Sequence, residues 1–250
     1  MAIIAIIPAR GGSKSLPRKN IKLLAGKPLI AYTIETALKC KLLDRVIVST
    51  DDTEIAAISK KHGAEVPFIR PRELALDTTP MLPVLQHAVS FIERNEKSHI
   101  DIVVLLQPTS PFREVSDIKN CIKKLENEKA DSVVTVCEVE HNPYFVMMRF
   151  QNDNLVPLLK MRELITRRQD APNVYLLNGA VYVTRRDVLM NENKIFTDNT
   201  KAVIMPQERS IDLDRQLDFE FAEFLMKRTC KRRATLQARG DENEEDKNRQ

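Results

Sequence analysis

The sequence contains no tryptophan in 250 residues, and aromatic side chains make up only 5% of it. A surface that stacks the bases of a nucleic acid needs aromatics set into a basic face. Here 39 Lys and Arg stand against 35 Asp and Glu, a net charge of +4. That balance argues against nucleic-acid binding and confines any cationic site to a local cluster. Cysteine is equally sparse. Cys40, Cys121, Cys137 and Cys230 lie far apart with no C-x-x-C pair, so neither a zinc spacing nor a disulfide framework is present. The first three fall in predicted helices or strands as small core residues, which suits a reducing cytoplasm. No apolar run reaches the length of a membrane span, and 2–8 is too short for a signal peptide. The expectation is a soluble cytoplasmic protein with no membrane partner. No internal repeat is evident, which excludes a solenoid.

What the chain does have is alternation. "AIIAIIP" is a continuous β-branched run, as a strand buried on both faces requires. "GKPLIAYTIETALKC" follows with Pro28 near its first turn and Leu29, Ile30, Ile34 and Leu38 at helical spacing. "DRVIVST" predicts a second strand, and "DDTEIAAISKKHG" a helix with an Asp at its start and Gly63 as its stop. "AEVPFIRP" reads as a short third strand, placed at an edge by its proline. A helix over about 81–94, the strand "DIVVLLQP", the amphipathic "VSDIKNCIKKLENEK" and the strand "DSVVTVCEV" complete the pattern. Strands alternating with helices imply a three-layer α/β/α fold, Rossmann-like, around a mostly parallel sheet.

Over 141–176 the pattern breaks. "YFVMMRF" and "NLVPLL" flank the turn "QNDN", which predicts a hairpin outside the sheet, suited to a lid or a dimerisation arm. The scheme resumes with "LNGAVYVT" and "KAVIMP" and closes with the helix "RQLDFEFAEFLMK". One domain over 1–228 is expected, with 229–250 a disordered charged tail.

In open α/β sheets ligands bind outside the carboxyl ends of the strands. Polar residues gather at those ends: Arg10-Gly11-Gly12-Ser13-Lys14 after the first strand, Ser49 to Asp52 after the second, and Gln107, Thr109 and Arg113 later. The first loop matches neither a Walker loop nor a G-x-G-x-x-G fingerprint. It can still hold phosphates, because Gly11 and Gly12 let backbone N–H groups approach an anion. Arg10 and Lys14 supply charge and Ser13 a hydroxyl. Residue types alone do not separate this reading from a solvated loop. Asp212-Leu-Asp214 aims two carboxylates to one side of an extended segment, which suits Mg²⁺ completed by substrate phosphates. The competing reading makes Asp214 the N-cap of the following helix.

Taken in order, "IPARGGSKSLPRKN", "RPRELALDTT", "LLQPTSPFR", "LNGAVYV" and "SIDLD" resemble the acylneuraminate cytidylyltransferases, the CMP-sialic acid synthetases, over roughly residues 3 to 228. The related enzymes for the eight-carbon sugar Kdo have a similar first motif that differs in its second half, so Lys19-Asn20 favours nine-carbon acceptors. The resemblance implies a nucleotide-diphospho-sugar transferase fold, a homodimer, and transfer of a cytidylyl group from CTP to a 2-keto acid sugar. It implies that Arg10, Lys14 and Lys19 contact the CTP phosphates. Asn20, Arg70, Asp77 and Thr79 would line the nucleotide pocket, and Asp212 and Asp214 would hold Mg²⁺. Gln107 and Asn178 would face the acceptor sugar, with Thr109 and Arg113 in the same motif and His141 nearby. Arg162, Arg167 and Arg168 form a further basic group, which is either a solvated loop or a segment that reaches phosphate or the sugar carboxylate. The chain has Leu176 where some members carry an Arg, which brings legionaminic and pseudaminic acids in as acceptors beside N-acetylneuraminate. Two other classes stand as alternatives: a non-catalytic nucleotide-binding protein of the same fold, and a nucleotidyltransferase for Kdo or a hexose 1-phosphate.

Overall fold

In the computed structural model of the chain, residues 1–159 and 167–228 are described. The first strand, β1 (Ile3–Pro8), is buried along nearly its whole length. A two-stranded ribbon, β2 (Leu23–Leu24) and β3 (Lys27–Pro28), leads into α1 (Leu29–Leu38), with Pro28 as its N-cap residue. The edge strand β4 (Arg45–Ser49) precedes α2 (Thr53–Lys61), where the Asp52 carboxylate accepts the N–H groups of Glu54 and Ile55, both at 2.9 Å. Gly63 ends that helix at φ +92°. Then follow α3 (Met81–Glu96), β5 (Ile102–Leu105), α4 (Val115–Asn127) and β6 (Ser132–Glu138). The hairpin β7 (Met148–Gln151) and β8 (Asn154–Pro157) turns through Asn152 and Asp153, both left-handed, as a tight two-residue turn requires. The long β9 (Tyr175–Arg185), α5 (Arg186–Met190), β10 (Thr200–Ile204) and a last helix, α6 (216–228), complete the chain.

The main sheet runs β10-β6-β9-β5-β1-β4. β4, β1 and β5 are mutually parallel, β10 is parallel to β6, and β9 runs against both its neighbours. Reversal of β9 brings its first residues to the edge where the parallel strands end. Alternation explains the burial. Ile3, Ala5 and Ile7 join the core beneath α1, α2 and α4, whereas Ile4 and Ile6 join the core beneath α3 and α5. Each buried Leu, Ile or Val contributes roughly 1.5–3 kcal/mol, so both helix layers hold the sheet flat against them. A smaller core of Leu24, Leu29, Leu213, Phe219 and Ala222 pins α6 beside the ribbon.

The three-layer α/β/α expectation therefore holds, with local corrections. The "AEVPFIRP" segment makes one bridge, Ile47 to Glu65, and no further strand ladder, because its prolines lack the N–H a ladder needs. Leu38, at the end of α1, is exposed rather than buried. The short α5 had no sequence counterpart. Cys40, Cys121 and Cys137 are buried as expected. Cys230, Arg162 and the 229–250 tail lie outside the described residues. No helix among the described residues is long and apolar enough to cross a membrane.

Candidate active site

The glycine loop leaves β1 beside the end of β4, where the Ala9 N–H donates to the Ser49 carbonyl at 2.9 Å. Gly11 then donates its N–H to Asp51 Oδ1 at 3.0 Å. A Cβ at Gly11 would sit 2.7 Å from Asp52 Oδ2, so only glycine fits against that carboxylate. Asp52 cannot retreat, since Arg18 grips it from the other side and holds its carboxyl below the ordinary range. A Cβ at Gly12 would meet nothing, which leaves that backbone open to a ligand. Left-handed Arg18, at φ 57°, starts a tight turn over Lys19–Ile21. That turn buries Asn20, whose amide donates to the Arg10 carbonyl at 3.1 Å and stitches the loop shut.

A cleft of about 270 Å³ opens beside this loop. Arg10, Lys19, Asn20, Arg70, Asp77, Thr79, Gln107 and Thr109 supply its polar lining. Leu74, Leu76, Met81 and Val84 add an apolar side suited to a flat base or ribose face. Asp77 pairs with both Arg10 and Lys14, the latter at 2.6 Å, and Lys14 first and Arg10 next hold its carboxyl below the usual range. Arg70 is 4% exposed and its nearest carboxylate partner, Asp51, stands 3.8 Å away.

The carboxylate pair comes to the same cleft from the far end of the chain. Leu213 is fully buried and its N–H donates to the Thr109 carbonyl at 2.9 Å, while Asp212 and Asp214 on either side are exposed. One apolar anchor between two outward carboxylates is the alternation the sequence shows. Lys19 Nζ donates to Asp214 Oδ1 at 2.7 Å, which joins the cationic loop to the pair. Asp212 has an exposed surface yet protein crowds its carboxyl, and that partial loss of water pushes it up; the Thr109 hydroxyl opposes the shift and the charge of Asp214 adds to it. The helix start is capped by a different residue. Asp218 accepts the N–H groups of Asp214 and Arg215, at 2.9 and 2.6 Å, in place of the cap by Asp214 that competed in the sequence reading.

A divalent cation fits here on the chemistry of the donors. Two hard carboxylate oxygens face out, and Asp212 is held under conditions that favour neutralising its charge. Among the described residues no group of three or more His, Cys, Asp or Glu side chains is set to hold a metal. A cation would therefore draw its remaining ligands from water and substrate phosphate, the usual state of Mg²⁺.

Two expected substrate contacts are placed elsewhere. Arg113 is 3% exposed, and its guanidinium donates to the carbonyls of Ala180 and Gln107, both at 2.6 Å, and to Thr33 Oγ1 at 3.1 Å. Burial pulls its pKa down, and the nearby Asp117 opposes that. It shapes the strand end that carries Gln107. Asn178 is likewise buried: its oxygen accepts from Thr135 at 2.6 Å and from the Ala180 N–H at 3.1 Å. Its amide donates to Ser210 at 2.9 Å, so the side chain is spent inside the fold. Gly179 beside it adopts φ +71°, and a Cβ there would lie 3.1 Å from Gln107 Oε1. Asn-Gly thus makes room for Gln107 instead of touching a ligand itself.

His141 borders a neighbouring pocket of about 500 Å³, with Met147, Tyr175 and Leu176 on its walls. Arg168 borders a smaller recess beside Asn142 and Gln207. Arg167 is taken by Asp170 at 2.7 Å. Sequence reasoning gave no site role to Arg18, Asp117 or Asp218, and took Asp51 and Asp52 only as polar strand-end residues with an Asp at the helix start. The E-x-x-D spacing of Glu114 and Asp117 was a readable capping box, and Asp117 also takes Arg209.

A cationic loop beside a cleft, joined through Lys19 to a pair of carboxylates, provides what nucleotidyl transfer demands, charge stabilisation and positioning. The class is nucleotidyltransferase. A cytidylyltransferase family model matches residues 4–239, and the chain belongs to that family of enzymes. It is 35% identical to the CMP-N,N'-diacetyllegionaminic acid synthase of Legionella pneumophila, over 90% of this chain and 97% of that protein. It is 32% identical to the pseudaminic acid cytidylyltransferase of Campylobacter jejuni, over 91% of this chain and 97% of the relative. Among solved structures, a CMP:2-keto-3-deoxy-manno-octonic acid synthetase complexed with CTP superimposes with a TM-score of 0.70 at 19% identity. That match covers 92% of this chain and 100% of the other, and it shows the shared fold.

Proposed function

We propose that this cytidylyltransferase joins CMP to the anomeric hydroxyl of a nine-carbon diacetamido 2-keto acid sugar and releases pyrophosphate. The observation that supports the reading is the Lys19–Asp214 contact at 2.7 Å, which joins the cationic loop to the carboxylate pair. The sugar hydroxyl oxygen forms a bond to the α-phosphorus, the bond to the β-phosphate breaks, pyrophosphate leaves and the hydroxyl proton passes to solvent. Such a step needs positioning and charge neutralisation more than a dedicated base. Arg10, Lys14 and Lys19 would hold the phosphates, with the open backbone of Gly12 and the Ser13 hydroxyl alongside. Asn20, Arg70 and Thr79 would hold the nucleoside, with Asp77 exchanging its cations for phosphate. Asp212 and Asp214 would hold Mg²⁺, which supplies charge neutralisation to the phosphates.

The acceptor would lie across Gln107 and Thr109 toward the pocket bounded by Met147, Tyr175, Leu176 and His141. Two acetamido groups present methyls that suit such a wall, and the relatives named for diacetyllegionaminic and pseudaminic acids support that acceptor. Met148, Phe150, Leu155, Tyr175, Leu176 and Leu177 leave a large apolar area open around this pocket, which supports a homodimer built on the hairpin. Light scattering of a Phe150→Asp variant, expected to be monomeric, tests that assembly. Three buried thiols and a CTP substrate support a cytoplasmic setting.

The deciding experiment is pyrophosphate release with CTP and Mg²⁺ across diacetyllegionaminic, pseudaminic, N-acetylneuraminic and Kdo acids. Turnover with a diacetamido acid and CTP is expected. CTP binding without turnover on any acid would point to a non-catalytic binding protein, and a preference for UTP or GTP with a hexose 1-phosphate would overturn the reading.

A further inference from the structure

Among the described residues, three buried side-chain polar atoms have no hydrogen-bond partner: Ser49 Oγ, Arg70 Nε and His87 Nδ1. Unpaired buried donors and acceptors cost roughly 1–3 kcal/mol each, so three in one protein call for an account. They belong to one place. Val46 and Val48 of β4 face the α1 side of the sheet and Ile47 faces α3, so Ser49 follows Ile47 toward α3. Phe68 packs with Ile47 in that same core, and its ring meets His87 edge-on at 4.8 Å between centroids. Arg70, two residues beyond Phe68, is fixed by its N–H to the Thr50 carbonyl at 2.7 Å, next to Ser49. His87 lies one turn along α3 from Val84, which with Arg70 lines the cleft.

The chemistry of the three atoms is complementary. Arg70 Nε–H only donates, His87 Nδ1 accepts when the neutral ring carries its proton on Nε2, and the Ser49 hydroxyl does both. Burial, and the positive charge of Arg70 after it, push the His87 imidazole toward its neutral form, with Glu73 opposing. One water can accept from Arg70, donate to His87 and bond Ser49, the three partners usual for a buried water. Arg70 otherwise has only Asp51, at 3.8 Å, to direct its guanidinium.

We propose that Ser49 and His87 form a buried, water-bridged support behind the cleft that aims the Arg70 guanidinium at the nucleotide. His87 is then a positioning residue for CTP, acting through Arg70. This rests on reading the cleft as the nucleotide site. The alternative role for His87 is packing of its ring on Phe68, and two substitutions separate the roles. His87→Asn keeps an acceptor near the Nδ1 position and loses the ring; His87→Phe keeps the ring and loses the acceptor.

The test measures KM for CTP and for the acceptor, melting temperature, and solvent exchange of the Arg70 Nε–H proton by ¹⁵N NMR. His87→Phe is expected to raise the KM for CTP about tenfold, with the acceptor KM within twofold, and to speed Nε–H exchange. His87→Asn is expected to stay within about threefold of the parent for both. Ser49→Ala, a smaller change that leaves α3 intact, is expected to raise the CTP KM about threefold and also to speed exchange. If His87→Phe behaves as the parent while His87→Asn is impaired, the ring is what matters and the proposal is overturned. Slow exchange that none of the three variants disturbs overturns it as well. Because the exchange measurement needs no substrate, it stands even where the nucleotide assignment fails.

Discussion

The Asp77 carboxylate accepts the Lys14 ammonium at 2.6 Å while its other oxygen takes Arg10. One residue thus neutralises two of the three cations proposed for the triphosphate. An anion that enters the cleft must take those cations from Asp77. Asp77→Asn is therefore expected to tighten pyrophosphate binding about three- to tenfold by calorimetry. Weaker binding would mean that the carboxylate serves the nucleotide directly. The sign with pH follows from the lowered carboxyl pKa. The pairing contributes above the unfolded Asp value and is lost as pH falls through the lower folded value, so the advantage of the variant should vanish in acid.

Lys14→Ala should raise the KM for CTP about tenfold or more and leave the acceptor KM within twofold. The Lys14 side chain is 82% exposed, so its removal should leave the melting temperature unchanged. A change confined to the acceptor KM would remove Lys14 from the phosphate set.

Asp212 and stability run in opposite directions. Its carboxyl pKa is raised in the fold, so ionising it works against folding from the unfolded value upward, and that penalty is complete above the raised folded value. Asp212→Asn should lower activity about a hundredfold or more, yet leave the melting temperature without metal equal to the parent's or slightly above it, since solvent screens an exposed carboxylate. Below about pH 4 the stability difference should disappear, because both forms are then neutral. A destabilised variant at pH 7 would contradict the burial cause.

Asp214 and Asp218 divide two roles that the sequence left competing on one residue. Asp214→Asn should lower kcat about a hundredfold with little change in melting temperature. Asp218→Asn should weaken the start of α6 by about 1 kcal/mol, roughly 2–4 °C, since it is the group that binds the N–H groups of Asp214 and Arg215. Thermal melts of the pair decide it, and the reverse order would restore Asp214 as the cap.

Leu213→Ala tests the anchor between the carboxylates. Emptying a fully buried leucine site costs about 3 kcal/mol, roughly 6–12 °C here, and should loosen both aspartates so that kcat falls as well. Full activity in a destabilised variant would show that the pair is held by Lys19 and Thr109 alone.

Much of this was legible in the residues themselves. The strand–helix alternation rests on local periodicity, so β1, β4, β5 and β6 and their helices sit where the pattern puts them. "RGGSK" and "DLD" each left two readings open by residue type and spacing, and the order of five motifs was what pointed to the family. Other features depended on contacts between segments remote in sequence. Nothing local distinguishes Asn178, whose amide is spent on Thr135 and Ser210, from an asparagine that faces a ligand. Nor does spacing reveal that Arg113 is buried under Ala180 and Gln107, or that Asp218 caps α6. The sequence by itself determined the layers, because these follow from periodicity, and its five ordered motifs pointed to the class of reaction through their resemblance to a known family, where side-chain type alone left the loop's role open. Only the tertiary structure decided which polar groups face the cleft and which are consumed inside. A buried donor must find an acceptor wherever the fold supplies one, and Lys19 meets Asp214 across 195 residues of chain.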